Sequence, residues 1–126
     1  MSVAVRWLGR LPYTQAHAVM KEVLTERIAG RLPDTLLLCE HDPVYTLGRA
    51  RGASGNVLDP RGVPIVPVER GGDVTFHGPG QLVGYPIFQL PPHRYDLHGY
   101  LRGLEESIIG LLADHGIEGG RDDRNT

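Results

Sequence analysis

Apolar and polar positions change period several times along this chain, and each change marks an element. Over residues 3–8, Val3, Val5 and Trp7 alternate with Ala4, Arg6 and Leu8, which predicts a strand with one buried face. The stretch 9–12 breaks that pattern with Gly9 and Pro12. Over residues 13–29 the apolar positions Ala16, Val19, Met20, Val23, Leu24 and Ile28 are three or four apart, which places one stripe along a helix, and Gly30 supplies its stop. Residues 35–40 form a short, nearly continuous apolar run, predicting a strand buried on both faces and ended or offset by Pro43.

Between residues 49 and 64 Gly, Pro, Ser, Asn and Asp dominate, the composition of a surface loop. Strand-like runs follow at 65–68, 74–76 and 82–90, each bounded by Gly or Pro. Asp96 is placed to cap a second helix in which Leu97, Tyr100, Leu101, Leu104, Ile108, Leu111 and Leu112 share a face. Arg102, Glu105 and Glu106 point outward from it, and Gly116 ends it. After Ile117 the tail has no apolar residue. This order predicts an α+β domain, a mixed sheet with packed helices, occupying residues 1–126 as one domain.

Charge narrows the partners. The formal net charge of −2 comes with 13 scattered basic residues, which argues against a nucleic-acid footprint or a polybasic membrane patch. No run reaches the roughly 18 apolar residues of a membrane span, and the N-terminus lacks a basic segment followed by an apolar one. A soluble, cytoplasmic protein is expected. Lys21 is the single lysine and Cys39 the single cysteine, so chemistry needing an amine or a thiol has one candidate of each in this sequence. Cys39, inside the run Leu36-Leu37-Leu38-Cys39, is expected to be a buried, protonated, unreactive core residue. Lys21 sits beside Glu22 on the charged side of the first helix and is expected in solvent. Cys39 and His41 form Cys-x-His without further ligands at suitable spacing, so no metal site is expected.

The candidate chemistry concentrates in Arg70-Gly71-Gly72-Asp73-Val74-Thr75-Phe76-His77-Gly78-Pro79-Gly80-Gln81. Glycines there let the backbone approach a ligand closely and expose N–H groups to it. Arg70 has two open roles, bidentate binding of an anion or bracing of the loop through backbone carbonyls. A lone histidine is ordinarily structural, but the position of His77 inside the glycine run reverses that expectation. Thr75 and Phe76 point in opposite directions, so one faces the ligand and the other the core. Val74, Phe76, Leu82, Val83 and Tyr85 are candidate walls of an apolar pocket or ordinary core.

This run resembles the signature Arg-Gly-Gly-x-x-Thr-x-His-Gly-Pro-Gly-Gln of the octanoyltransferases of lipoate biosynthesis. The stretch Leu36-Leu37-Leu38-Cys39-Glu40-His41-Asp42-Pro43-Val44-Tyr45-Thr46-Leu47-Gly48-Arg49 is similar to a second segment of that family. The resemblance implies the fold of the biotin and lipoate protein ligases, related to the catalytic domain of class II aminoacyl-tRNA synthetases. It implies a substrate-binding stretch of Arg70, Gly71, Gly72, Asp73, Val74, Thr75, Phe76 and His77. It also implies transfer of an octanoyl group from octanoyl-acyl carrier protein, through an enzyme cysteine, to a lysine of a lipoyl domain. The implied acceptors are lipoyl domains of 2-oxoacid dehydrogenases and the glycine cleavage H protein, and no cofactor is implied.

The resemblance covers the N-terminal part of the family domain. The family's catalytic lysine and cysteine lie in motifs C-terminal to the matched segment, and neither role falls on Lys21 or Cys39. The 126-residue chain alone is therefore expected to carry the acyl-binding part and to be inactive. Two alternatives stand beside this reading: an ATP-dependent lipoate or biotin ligase-like protein, and a catalytically inactive remnant that binds acyl groups or a carrier. A serine hydrolase is set aside, because Ser2, Ser54 and Ser107 include no Gly-x-Ser-x-Gly elbow.

Overall fold

The computed structural model describes residues 2–92 and 96–124. These fall into two compact units, residues 1–89 and 90–126. The first unit holds β1 (Ala4–Leu11), α1 (Tyr13–Ile28), β2 (Thr35–His41), β3 (Val44–Leu47), a single-turn 3-10 helix at Ala53–Asn56, β4 (Ile65–Pro67), β5 (Val74–His77) and β6 (Val83–Ile87). The second unit holds α2 (Leu97–Asp114).

Among the described residues, six strands make two sheets of three, ordered β1-β2-β6 and β4-β3-β5. β1 and β2 run parallel, as a pair joined by a crossover helix must, and α1 is that helix. β6 returns antiparallel to β2, and its position at the edge of the sheet tolerates Pro86, which has no N–H to give. In the second sheet β3 lies between a parallel β4 and an antiparallel β5.

The core lies where α1 meets the first sheet. Burial alternates strictly along β2, with Thr35, Leu37, Cys39 and His41 inside. The α1 side of the contact is supplied by the buried Ala16 and Val23, and the Tyr13 ring sits over His41. Burying a side chain such as Leu37 contributes roughly 2 kcal/mol. The apolar run at 35–40 therefore resolves differently from its expectation of burial on both faces: Leu36 and Leu38 on the second face are only half-buried. In α1 the predicted stripe is likewise buried near its start and centre, while Leu24 and Ile28 are 49% and 78% exposed.

β3 has no counterpart among the predicted strands. β2 and its pairing end at His41, as expected before Pro43, and Asp42-Pro43 turns the chain from there into the second sheet. Arg10 clamps this corner with an ion pair to Asp42 at 2.7 Å, and the Asp42 N–H donates to the Leu11 carbonyl. The predicted loop at 49–64 contains the 3-10 turn, and the strand run predicted at 65–68 is the three-residue β4. The run predicted at 82–90 shortens to β6.

In the second unit, Asp96 caps α2 as predicted, its side chain accepting from the Gly99 N–H at 2.9 Å. Gly116, at φ +73, follows the helix in the left-handed conformation that suits a glycine stop. Arg102 pairs with Glu105, and Arg121 from the tail pairs with both Glu105 and Glu106. No residue of α2 is buried.

Candidate functional site

A cavity of about 320 Å³ opens where the first turns of α1 face both sheets. Tyr13, His17 and Met20 of α1 and Val83 and Tyr85 of β6 form one side. Thr46 of β3, Thr75 and His77 of β5, and the segment Val68-Glu69-Arg70 form the other. Carbon predominates on the first side and hydrogen-bonding groups on the second.

The polar side is held by Arg70. Its Nη1 donates to the Gly71 and Asp73 carbonyls at 2.9 and 3.0 Å. Its Nη2 donates to the Thr46 carbonyl, the Thr46 hydroxyl and the Thr75 hydroxyl at 2.9–3.0 Å. Of the two roles open to Arg70 from sequence, the geometry shows the brace. The loop it braces lies against the end of β3, where Gly48, Arg49 and Ala50 donate backbone hydrogens to Asp73, Arg70 and Gly72. Only glycine fits at position 48, since a Cβ there would stand 2.2 Å from the Gly72 carbonyl oxygen. Gly72 itself turns at φ +83.

The strand period then decides which side chains of β5 reach the cavity. Thr75 and His77 line it, whereas Phe76 turns to the other face, where it is half-exposed and packs on Tyr45 with ring centroids 5.3 Å apart. Asp73 points away, accepting both from the Asn56 side chain at 2.8 and 2.9 Å and from the Val74 N–H, and these donors hold its carboxyl below the usual range. Of the five candidate walls, Val83 and Tyr85 line the cavity; Leu82 is 57% exposed.

His77 is fixed by Gln81. The Gln81 amide donates to the Phe76 carbonyl, so its oxygen is turned to His77 Nδ1, which must be the donor. That leaves His77 Nε2 as an acceptor for the Thr46 hydroxyl at 3.4 Å. Arg70, Thr46, His77 and Gln81 thus form one continuous chain of hydrogen bonds, each polarising the next. The backbone expected to be open around the glycines is partly occupied, because the Gly80 N–H donates to the Glu40 carboxylate at 2.6 Å.

Sequence reasoning missed His41 and Tyr13. His41 is completely buried at the corner between the sheets, with rings of Tyr13, His77 and Tyr85 at centroid distances of 5.4–5.8 Å. Its Nε2 is 2.6 Å from the Tyr85 hydroxyl and its Nδ1 faces the Leu11 carbonyl at 3.4 Å. The available signal was its place directly before the corner-making Asp42-Pro43. Burial pushes the His41 pKa down and those of Tyr13 and Tyr85 up, so this end of the cavity is uncharged at neutral pH. Burial also raises the Cys39 thiol, which is fully buried, matching the core role expected of it. Lys21 is exposed on α1. Among the described residues no group of His, Cys, Asp and Glu is arranged to hold a metal ion, and no helix is long and apolar enough to cross a membrane.

Comparison with known proteins adds to this geometry. Residues 12–126 match the lipoyl protein ligase A/B catalytic domain. An octanoyltransferase from Gloeobacter violaceus is 50% identical over 115 residues, covering 90% of this chain and 52% of the relative. An octanoyltransferase from Geobacter metallireducens is 50% identical over 122 residues, covering 97% of this chain and 56% of the relative. The chain thus spans about half the length of the curated relatives it matches. Among solved structures, protein Ta0514 from T. acidophilum, a "putative lipoate protein ligase" with bound lipoic acid, superposes with a TM-score of 0.69 at 18% identity, over all of this chain and 54% of that one. That likeness shows a shared fold, in agreement with the α+β ligase-type fold the motifs implied.

Proposed function

Because the chain belongs to the lipoyl protein ligase A/B catalytic-domain family, and its relatives at about 50% identity are octanoyltransferases, we propose that it carries the acyl-binding part of an octanoyltransferase of protein lipoylation. The donor in this reading is octanoyl-acyl carrier protein and the acceptor a lysine of a lipoyl domain, in a cytoplasmic reaction. The observation that carries it is the two-sided cavity. Met20, Val83 and the Tyr13 and Tyr85 rings offer carbon to an acyl chain, and Thr46, Thr75, His77 and Arg70 gather at the other side, where a thioester needs polar groups.

Each side chain then has a task. Arg70 does not clamp the ligand: its donors hold the Gly71-Gly72 turn and the two threonines, and its charge is opposed by that of Glu69, which lines the same cavity. Gly71 and Gly72 make the turn that Arg70 holds against β3, and Thr75 and His77 meet the polar end of the acyl group. Asp73 and Phe76 contribute to the stretch indirectly, by anchoring the 3-10 turn and the Tyr45 face. The cysteine that accepts the acyl group in the family, and the lysine that lowers its pKa, are not among these residues, so the proposal assigns this chain binding without turnover.

The test is direct. Incubated with octanoyl-acyl carrier protein and an apo lipoyl domain, the chain is expected to bind the carrier's octanoyl group and to leave the lipoyl domain's intact mass unchanged. Octanoylation above the enzyme-free rate contradicts the absence of turnover. Acyl transfer from free octanoate that appears only with ATP would instead make it a ligase.

A further inference from the structure

The binding role leaves the buried imidazole of His41 unused. His41 is 0% exposed, and its partners fix its hydrogen. The Leu11 carbonyl can only accept, so Nδ1 carries the proton, and Nε2 is left to accept from the Tyr85 hydroxyl at 2.6 Å. Of the other groups around the ring, none approaches that site as closely as the Tyr85 hydroxyl. Tyr13 and His77 approach with their rings, the Cys39 thiol reaches Nε2 only at 3.8 Å and as a weak donor beside the 2.6 Å Tyr85 hydroxyl, and Asp42 follows in sequence with its carboxylate on Arg10.

We propose that His41 is a positioning residue for the cavity and acts through Tyr85, rather than a core residue that merely fills the corner between the sheets. By taking the phenolic hydrogen, His41 locks the Tyr85 ring as a wall and turns the oxygen's lone pairs, not its hydrogen, toward the cavity. Tyr85 is then an acceptor for a ligand N–H and no donor to a thioester carbonyl. A wall locked before the ligand arrives costs less ordering on binding. The inference rests on the acyl-cavity reading above.

S-octanoyl-pantetheine, titrated into the 126-residue chain and followed by NMR, supplies the test. His41→Phe keeps the ring volume and removes the acceptor, and it should weaken binding roughly tenfold, the order of one neutral buried hydrogen bond. Tyr85→Phe should do the same, and the double variant should bind no worse than the weaker single one, because the two residues act as a unit. His41→Gln, which can still accept, should stay within about threefold of wild type. Unchanged affinity in His41→Phe, or losses that add in the double variant, overturns the proposal and leaves the cavity reading standing. Failure of the wild-type chain to bind the probe overturns the cavity reading and the proposal with it. Should His41→Phe not fold, long-range nitrogen–proton NMR of the wild-type imidazole decides: a proton on Nδ1 supports the proposal and a proton on Nε2 overturns it.

Discussion

The two sheets of the first unit are stabilised by different physics. The β1-β2-β6 sheet has strands of up to eight residues, and its central strand β2 buries one face, with Leu37 and Cys39 fully buried and α1 packed against the sheet. Its edge strand β1 leaves Val5 and Trp7 61% and 60% exposed. The β4-β3-β5 sheet has strands of three or four residues and little apolar burial of its own. A guanidinium, two threonine hydroxyls and a close backbone approach at Gly48 hold it instead. The lesson is a division of labour, in which burial fixes the scaffold and hydrogen bonds shape the site beside it.

Substitutions should separate the two sheets. Leu37→Ala removes a fully buried side chain and should cost roughly 2–5 kcal/mol of global stability, read as a lowered denaturation midpoint with unchanged slope. A loss below about 1 kcal/mol would deny that the first sheet is the scaffold. Gly48→Ala forces backbone apart and should cost roughly 1–3 kcal/mol. Hydrogen exchange should place that loss at the amides of Arg49 and Ala50 and spare β2. Equal loss of protection in both sheets would erase the distinction.

A smaller effect belongs to the corner between them. Because His41 is buried neutral with a pKa below its ordinary 6.5, the unfolded chain binds the proton first as pH falls. The stability this contributes is present above 6.5 and is lost as pH drops from there through the lowered folded value. His41→Gln should flatten that part of the pH–stability curve, as followed by thermal melts between pH 7.5 and 4.5 at roughly 0.5-unit steps. An unaltered curve would assign the acid loss to other groups. Smallest of all, Asn56→Ala should leave the melting temperature where it is and release only the 3-10 turn from Asp73, seen as faster exchange within residues 53–56.

Legibility in the sequence follows the same division. α1 and β2 were readable because burial imposes a period on their apolar residues, whereas β1 and α2 carry the period with no buried residue of their own and the Asp96 cap marks where α2 starts. β3 was not, since Val44-Tyr45-Thr46-Leu47 is only four residues long and follows a proline that locally reads as a stop. In the site, the glycine run announced a close backbone approach, yet nothing local said that Gly48 would be the residue approached. The role of Arg70 was open for the same reason: its five acceptor contacts include Thr46, which is 24 positions away. His41 was hidden by its context, because a histidine ending an apolar strand carries no periodic signal and its partners Leu11 and Tyr85 are 30 and 44 residues distant.

In the proposed function the cavity between α1 and the two sheets receives an acyl chain. NMR cross-relaxation between the terminal methyl of S-octanoyl-pantetheine and methyl-labelled side chains of the chain tests it most directly. The account predicts contacts to Met20 and Val83, which line the carbon side of the cavity. Contacts to Leu24, Ile28 and Ile87 instead, which border a separate groove between the end of α1 and β6, would contradict it.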